Sequence, residues 1–294
     1  MLRATWVLLW LALKEVIYLI VPAIKGSEIK NLFNSNLSTD GEIVMLRYLF
    51  SVAALGVVAI WNPALVVAPV KADQVAMTSD ANIPNDLNYL LYTPEDYETS
   101  EESYPLVVWL HGGGQSGDNI DDVRSSGLPK IIEQGLDAPF LAVSPQNPSE
   151  QLLYPIEKVK NVVDELMSEY RVDPSRIYLM GYSRGGFGAW AMAQQYPETF
   201  AAVVPIAGGG VRHYLNRTNE QAAFWVFHGS EDDVIPLSDS VVLYERLKSL
   251  DRDARLTVLD TDHEEIEVLA LNNKEMWDWL FQQRLEAASS TSAE

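Results

Sequence analysis

Short runs of apolar residues recur along the chain from residue 87 onward, and most are continuous rather than alternating with polar positions. They occupy residues 87–92, 106–110, 140–144, 177–181, 202–207, 223–228 and 255–260. A strand with one face in water alternates apolar and polar side chains, whereas a strand buried on both faces is apolar throughout. The pattern therefore predicts seven short strands, most of them inside a parallel sheet.

Between these runs, apolar residues recur every three to four positions. Residues 157–170, 238–250 and 274–285 are the clearest examples, and each is predicted to form a helix with one apolar face. The alternation of strands and helices is typical of an α/β fold, in which helices cover both faces of a mostly parallel sheet. No stretch rich in Pro, Gly or Ser divides residues 85–285, so we expect residues 73–294 to form one domain. In such folds, ligands bind at the carboxyl ends of the strands.

Two apolar stretches precede this domain, in residues 1–72. The first, residues 4–24, is interrupted by Lys14 and Glu15. A charge at the centre of a membrane-spanning helix costs about 2.5–3.5 kcal/mol on insertion scales. This first stretch is therefore a poor membrane span.

The second stretch has the layout of a secretory signal peptide. A short basic segment ending at Arg47 comes before an uncharged apolar run at 49–61, and small residues precede Asp73. We expect residues 45–72 to be a signal peptide or a membrane anchor, with the domain exported to the periplasm or the medium. Residues 1–44 are then either not translated, with the protein beginning at Met45, or the first half of a two-helix anchor. The alternative is a buried N-terminal helix pair in a cytosolic protein.

Composition and charge exclude several classes of function. The chain has no cysteine, which removes disulfides, thiolate nucleophiles and Cys-ligated metal centres. The formal net charge is −20, and residues 73–294 carry 15 basic and 37 acidic side chains, a balance of −22. Nucleic acid and anionic membrane surfaces would repel such a domain.

The predicted strand at 177–181 runs into the sequence Gly181-Tyr182-Ser183-Arg184-Gly185, which is followed by an apolar helical pattern. This G-x-S-x-G motif is the nucleophile elbow, a strained strand-to-helix turn that exposes the serine Oγ at the end of the sheet. The small residues at its two ends leave room for the helix to pack against the strand. The helix N-terminus also stabilises negative charge beside the serine. We therefore predict that Ser183 is a nucleophile.

A glycine-rich segment at residues 111–114 follows the second predicted strand. Acyl transfer needs backbone N–H donors aimed at the developing oxyanion, and glycine lets the backbone approach a carbonyl oxygen without interference from side chains. We expect the N–H groups of Gly113 and Arg184 to form the oxyanion hole. Gly112 or Gly114 would replace Gly113 as a donor if the loop were shifted by one residue.

A serine nucleophile needs a base, and the chain has four histidines. In the elbow motif, the chain order is nucleophile, acid, base. His263 follows the last predicted strand and lies downstream of acidic candidates, so it is the predicted base. His213 is the second candidate, His228 is expected to stabilise its own turn, and His111 belongs to the glycine-rich segment.

The acid is expected in the loop after the predicted strand at 223–228, where an acidic triplet occurs. Asp232 is the first choice and Asp233 the second. Both lie between Ser183 and His263 in the chain, as the order of the motif requires. The acid orients the imidazole and stabilises the imidazolium without taking the proton itself.

Together, these motifs resemble the α/β-hydrolase superfamily. The chain is most similar to bacterial exported esterases of the phospholipase/carboxylesterase and dienelactone-hydrolase-like group, which includes prolyl-oligopeptidase-like peptidases. The segments at 171–179 and 196–205, on either side of the elbow, also resemble that group. The resemblance covers residues 85–285, and its HGxxD pattern implies Asp232 as the triad aspartate. One difference is Arg184, where the close group usually has methionine.

The predicted function is hydrolysis of carboxylic esters through a Ser-His-Asp triad and an acyl-enzyme. This chemistry requires no metal or organic cofactor, and the expected partner is a small-molecule ester. The oligomeric state stays open. Residues 73–294 leave no room for a propeller or large cap domain, which favours small or carbohydrate-linked esters. The alternatives are a serine peptidase of the prolyl-oligopeptidase-like type and, in another class, a catalytically silent binding module.

Overall fold

An eight-stranded sheet runs through the part of the chain that the computed structural model describes, which is residues 73–78, 87–136, 138–148 and 153–286. The strands lie in the order β1-β2-β4-β3-β5-β6-β7-β8. The pairs β1/β2 and β2/β4 are antiparallel, and all other pairs in the described sheet are parallel. The predicted mostly parallel sheet is therefore confirmed. The bounds are β1 (Asp73–Thr78), β2 (Asn88–Thr93), β3 (Tyr104–Leu110), β4 (Leu141–Pro145), β5 (Val172–Tyr182), β6 (Ala202–Ile206), β7 (Ala223–Gly229) and β8 (Ala254–Leu259).

Helices cover both faces of this sheet, as predicted. In the described residues they are α1 (Gly127–Glu133), α2 (Ile156–Glu169), α3 (Arg184–Gln195), α4 (Leu237–Ser249), α5 (His263–Leu271) and α6 (Lys274–Leu280). Short 3-10 helices lie at Gly113–Gln115, Ile120–Ser125 and Arg212–Arg217. Helices α2, α3 and α4 contribute to one hydrophobic core, and α1, α5 and α6 to a second.

The central strand β3 shows why its sequence is continuously apolar. Leu106, Val108 and Leu110 enter the first core, whereas Val107 and Trp109 enter the second. All five side chains are fully buried. Because each buried aliphatic side chain stabilises the fold by about 1.5–3 kcal/mol, both faces of this strand must be apolar.

Strand β5 begins earlier than the sequence pattern predicted. Asp173 and Pro174 form a local turn signal, but the strand starts at Val172 and bulges instead. Tyr104 of β3 pairs with Val172, and Leu106 pairs with Ile177, so β5 carries extra residues between these two pairs. The local turn signal is real, but pairing with β3 on both sides of the bulge keeps the segment in the sheet.

Other differences have local causes. Strand β1 was not predicted, because it lies at the edge of the sheet with Gln74 buried and Val75 exposed, the reverse of an apolar pattern. Helix α6 ends at Leu280, earlier than the predicted 285. Helix α5 was not predicted, and the predicted base His263 is its first residue.

The predictions for residues 1–44 and 45–72 lie outside the described residues and stay predictions. Within the described ranges, no helix has both the length and the apolar character needed to cross a membrane.

Candidate active site

The turn between β5 and α3 holds Ser183 in a strained conformation. Its backbone has φ 53° and ψ −116°, in a region that non-glycine residues rarely occupy. Its N–H donates to the carbonyl of Ile206 at 2.8 Å, which ties the turn to β6. A Cβ on Gly181 would lie 2.2 Å from the Gly185 carbonyl oxygen, and one on Gly185 would lie 1.9 Å from the Leu110 oxygen. The two motif glycines are therefore required by close backbone packing.

The structure brings together the three predicted triad residues. The Nε2 atom of His263 lies 2.9 Å from the Oγ of Ser183. The Nδ1 atom of the same ring lies 2.7 Å from the Oδ2 of Asp232. Although 80 residues separate the serine from the histidine, the ends of β5, β7 and β8 meet at one edge of the sheet. The resulting chain of contacts has the geometry that nucleophile activation requires.

The carboxylate of Asp232 is fully buried, and both of its oxygens form hydrogen bonds. Its Oδ1 accepts hydrogen bonds from the N–H groups of Val234 at 3.0 Å and Ile235 at 2.8 Å. Its side chain has no solvent exposure. Asp233, the second candidate for the acid, is exposed. The contact with His263 therefore distinguishes the two adjacent carboxylates.

His263 is held by its backbone as well as by its ring. Asp262 caps α5 by accepting a hydrogen bond from the N–H of Glu265 at 2.9 Å. The Oη of Tyr182, the residue before the serine, donates to the carbonyl of His263 at 2.9 Å. The elbow and the start of α5 are thereby tied together, and the imidazole side chain is only 8% exposed.

The glycine-rich segment lies beside the elbow. Gly113 is the first residue of a 3-10 helix, and Arg184 is the first residue of α3. N–H groups at helix starts have no partner within their own helix, so both are free of intrahelical bonds. A Cβ on Gly112 would lie 3.7 Å from the Ser183 Cβ, which shows how closely the loop approaches the serine. Gly114 faces open space.

His111 anchors this loop rather than serving as a base. Its Nδ1 is 2.6 Å from the carbonyl of Gly112, and its Nε2 accepts a hydrogen bond from the N–H of Asn147 at 3.0 Å. Burial, with a smaller contribution from the Arg184 guanidinium, lowers the pKa of His111 to about 4. The ring is therefore neutral at pH 7, with the proton on Nδ1.

The two remaining histidines do not contact the serine. His213, the second candidate for the base, is exposed on the 3-10 helix after β6, where its ring contacts Tyr214. His228 is buried, and its Nε2 lies 2.9 Å from the carbonyl of Ile235. The expectation that His228 stabilises its own turn matches this contact.

Sequence reasoning missed three interactions around the triad. These are the 3.3 Å approach of His228 to Asp232, the Tyr182 bond to the His263 backbone, and the position of the Arg184 side chain over Gly113. Only the approach of His228 to Asp232 could have been found from the sequence, because the two residues are four positions apart in the chain. Among the described residues, no group of three or more His, Asp or Glu could hold a metal ion.

Comparison with known proteins supports the assignment of fold and family. Residues 139–279 match the phospholipase/carboxylesterase family. The chain is 29% identical over 164 residues to poly(3-hydroxyalkanoate) depolymerase C of Paucimonas lemoignei, covering 49% of this chain and 37% of that protein. It is 25% identical over 182 residues to feruloyl esterase C of Emericella nidulans, covering 58% and 64%.

A similar solved structure is that of a thermostable esterase, with a TM-score of 0.62 and 29% identity. The match covers 72% of this chain and 64% of that chain. The chain thus spans less than two thirds of the length of each of these three proteins.

Proposed function

Because the chain is an α/β-hydrolase whose residues 139–279 match the phospholipase/carboxylesterase family, we propose that it hydrolyses carboxylic esters. Ser183 is the proposed nucleophile, His263 the base and Asp232 the orienting acid. The N–H groups of Gly113 and Arg184 form the proposed oxyanion hole. The observation that carries the proposal is the unbroken chain of contacts from the serine Oγ through the imidazole to a buried carboxylate, at 2.9 and 2.7 Å.

The first half of the reaction forms an acyl-enzyme. The Oγ of Ser183 attacks the ester carbonyl carbon while its proton moves to Nε2 of His263. The carbonyl oxygen becomes an oxyanion, which accepts hydrogen bonds from the two backbone N–H groups. The carbon–oxygen bond to the alcohol then breaks, and the alcohol leaves with the proton from Nε2. Asp232 stabilises the transient imidazolium through Nδ1.

The second half returns the enzyme to its starting state. Water attacks the acyl carbon and gives a proton to Nε2 of His263. The second tetrahedral intermediate uses the same oxyanion hole. Its collapse breaks the bond to Ser183, the proton returns to the serine Oγ, and the carboxylic acid is released.

The proposed substrates are small or carbohydrate-linked esters. Feruloyl esterase C is among the relatives, and no large cap domain interrupts the described strands and helices, which favours a compact ester as substrate. A serine peptidase of the prolyl-oligopeptidase-like type is the alternative activity, and a catalytically silent binding module is the alternative of another class.

The test uses the full chain with a fluorophosphonate probe and three substrate panels, p-nitrophenyl esters, feruloyl esters and peptides. Wild type should be labelled and should hydrolyse esters, whereas Ser183→Ala should do neither. Ser230→Ala is the matched control, because Ser230 is exposed near the same edge and donates to Asp260. Labelling that persists in Ser183→Ala rules out Ser183 as the nucleophile. Peptide cleavage without ester cleavage favours the peptidase, and absence of both favours the binding module.

Export is also part of the proposal, with residues 45–72 as a cleaved signal or a retained anchor. The test fuses these residues to a reporter that is active only outside the cytoplasm. Leu55→Arg, which places a charge in the apolar run, is the control and should abolish the signal. An inactive reporter together with cytosolic protein that keeps residue 1 contradicts export.

A further inference from the structure

The guanidinium of Arg184 lies against the glycine-rich loop beside the proposed nucleophile. Its Nη1 donates to the Oγ of Ser116 at 2.9 Å. A Cβ on Gly113 would lie 3.1 Å from Nη2 and 3.2 Å from Cζ of the same side chain. The side chain is half-buried. A cationic group therefore covers the loop that supplies one of the two proposed oxyanion donors.

This cation has no acidic partner among the described residues. Of the nine other arginines of the described region, four lie within 4 Å of a carboxylate (Arg124, Arg176, Arg252 and Arg284) and three lie over aromatic rings (Arg171, Arg217 and Arg255). For Arg184 the described residues supply one hydrogen bond, and that bond goes to a neutral hydroxyl. Removing a charge from water without pairing it is unfavourable. A half-buried, unpaired guanidinium beside a nucleophile is therefore suited to pair with a ligand.

The positive charge of Arg184 affects the titration of a neighbouring histidine. It contributes, after burial, to the lowered pKa of His111, which lies at the start of the same loop. The domain as a whole is strongly acidic, with a balance of −22 over residues 73–294, and this would repel an anion at long range. At physiological ionic strength, however, charges beyond about 8 Å are largely screened. A direct contact with the guanidinium would outweigh that diffuse field.

We propose that the Arg184 side chain binds an anionic group of the substrate, so that the site selects esters that carry a carboxylate near the scissile bond. The proposal rests on the proposed ester hydrolysis and names the substrate class for it. A guanidinium presents a planar fork of donors that matches the two oxygens of a carboxylate. Ser116, which accepts from Nη1, still has its own proton to donate to the same anion.

The experiment compares esters that differ only in charge. One pair places the group on the acyl side: monoethyl adipate and the ethyl ester of adipic acid monoamide. The other places it on the alcohol side: para-acetoxybenzoate and para-acetoxybenzamide. Within each pair a carboxylate replaces a carboxamide of nearly the same shape. The measured quantity is the ratio of kcat/KM for the charged ester to kcat/KM for the neutral one.

Arg184→Met should lower this ratio by about 10-fold or more in the pair that matches the natural substrate, because hydrogen bonds to charged groups are the stronger class. Arg184→Lys keeps the charge without the fork and should lower it less. Added salt should reduce the wild-type preference. Arg246→Met is the matched control, since Arg246 on α4 is half-buried like Arg184 and also bonds a serine hydroxyl, that of Ser249. It removes the same charge from the domain and should leave the ratio unchanged.

A binding measurement separates this inference from the proposed reaction. Titration calorimetry on full-length Ser183→Ala compares adipate with adipamide, and repeats the titrations in Ser183→Ala combined with Arg184→Met. Binding of adipate that depends on Arg184 supports the inference even where no ester is turned over, and that result would overturn only the ester hydrolysis. Turnover with the same ratio in wild type and Arg184→Met, and no Arg184-dependent binding of adipate, overturns the inference alone.

Discussion

The Nε2 atom of His228 lies 3.3 Å from Oδ2 of Asp232, the same oxygen that contacts Nδ1 of His263 at 2.7 Å. The other oxygen of this carboxylate takes two backbone N–H groups. A buried anion is costly unless its lone pairs are satisfied. Here three hydrogen bonds supply that compensation, and together with the approach of His228 they define the direction in which the carboxylate meets the imidazole of the triad.

This arrangement predicts a positioning role for His228. His228→Phe keeps a ring of similar shape but removes the contacts to Asp232, the Ile235 carbonyl and the Ser240 Oγ, which is 2.7 Å from Nδ1. We expect kcat to fall by about 10-fold with little change in KM, and unfolding free energy to fall by about 1–3 kcal/mol. Ser240→Ala is the control, because it removes the hydroxyl that contacts His228 and the Gly208 carbonyl but leaves the histidine beside Asp232.

The kcat of the folded fraction of His228→Phe distinguishes a positioning role from a purely structural one. A purely structural role would lower the amount of folded enzyme without changing the kcat of the folded fraction, which fluorophosphonate titration counts. An unchanged kcat per labelled site in His228→Phe would therefore contradict the positioning role.

The two neighbouring aspartates should behave differently. Asp232→Asn is expected to lower kcat by about 10⁴-fold, because an amide stabilises the wrong imidazole tautomer. Asp233→Asn, one residue away and exposed, should have little effect. Steady-state kinetics on the preferred ester checks both variants. A larger loss in Asp233→Asn than in Asp232→Asn would mean that the observed contact with His263 is not the one used in catalysis.

Packing at the elbow predicts a contrast between two glycines. Gly185→Ala places a Cβ 1.9 Å from a backbone oxygen of β3, which cannot move aside as a flexible side chain would. We expect a loss of at least about 3 kcal/mol in unfolding free energy, or failure to fold. Gly114→Ala meets open space and should change stability by less than about 0.5 kcal/mol. Urea denaturation measures both, and equal effects would contradict the observed backbone approach.

Glu267 predicts a pH dependence of stability. It lies four residues after His263 on α5 and is buried. Burial, opposed by Lys130 and by the Gly127 N–H, raises the pKa of Glu267 from 4.5 to about 7. In this interval the unfolded chain gives up the proton that the folded chain keeps. Stability from this group is therefore fully present below about pH 4.5 and is lost as the pH rises through 7.

Glu267→Gln removes this titration. The difference in unfolding free energy between variant and wild type should rise by about 2 kcal/mol from pH 5.5 to pH 8, since each pKa unit corresponds to about 1.4 kcal/mol. The lower limit stays above the sequence pI of 4.5 to preserve solubility. Glu264→Gln, which removes an exposed carboxyl from the same helix, is the control. A difference that is constant with pH would show that Glu267 is charged in the folded protein at both pH values.

Several features followed from local sequence. Continuous apolar runs identified β3, β6 and β7 to within two residues, because strands buried on both faces have no polar side. The G-x-S-x-G motif identified Ser183, because the close approach of α3 to β3 leaves room only for glycine. Chain order then nominated His263 and Asp232, although Asp233 and His213 stayed open as alternatives.

Tertiary structure decided among those alternatives. Neighbours in sequence such as Asp232 and Asp233 are chemically equivalent, and only the fold of the loop after β7 buries one and exposes the other. The same holds for the Arg184 side chain, whose position over Gly113 depends on β3 and β5 lying side by side. Periodicity and motifs report what each segment must bury. Which distant polar groups meet depends on the packing of strand ends, which no local pattern encodes.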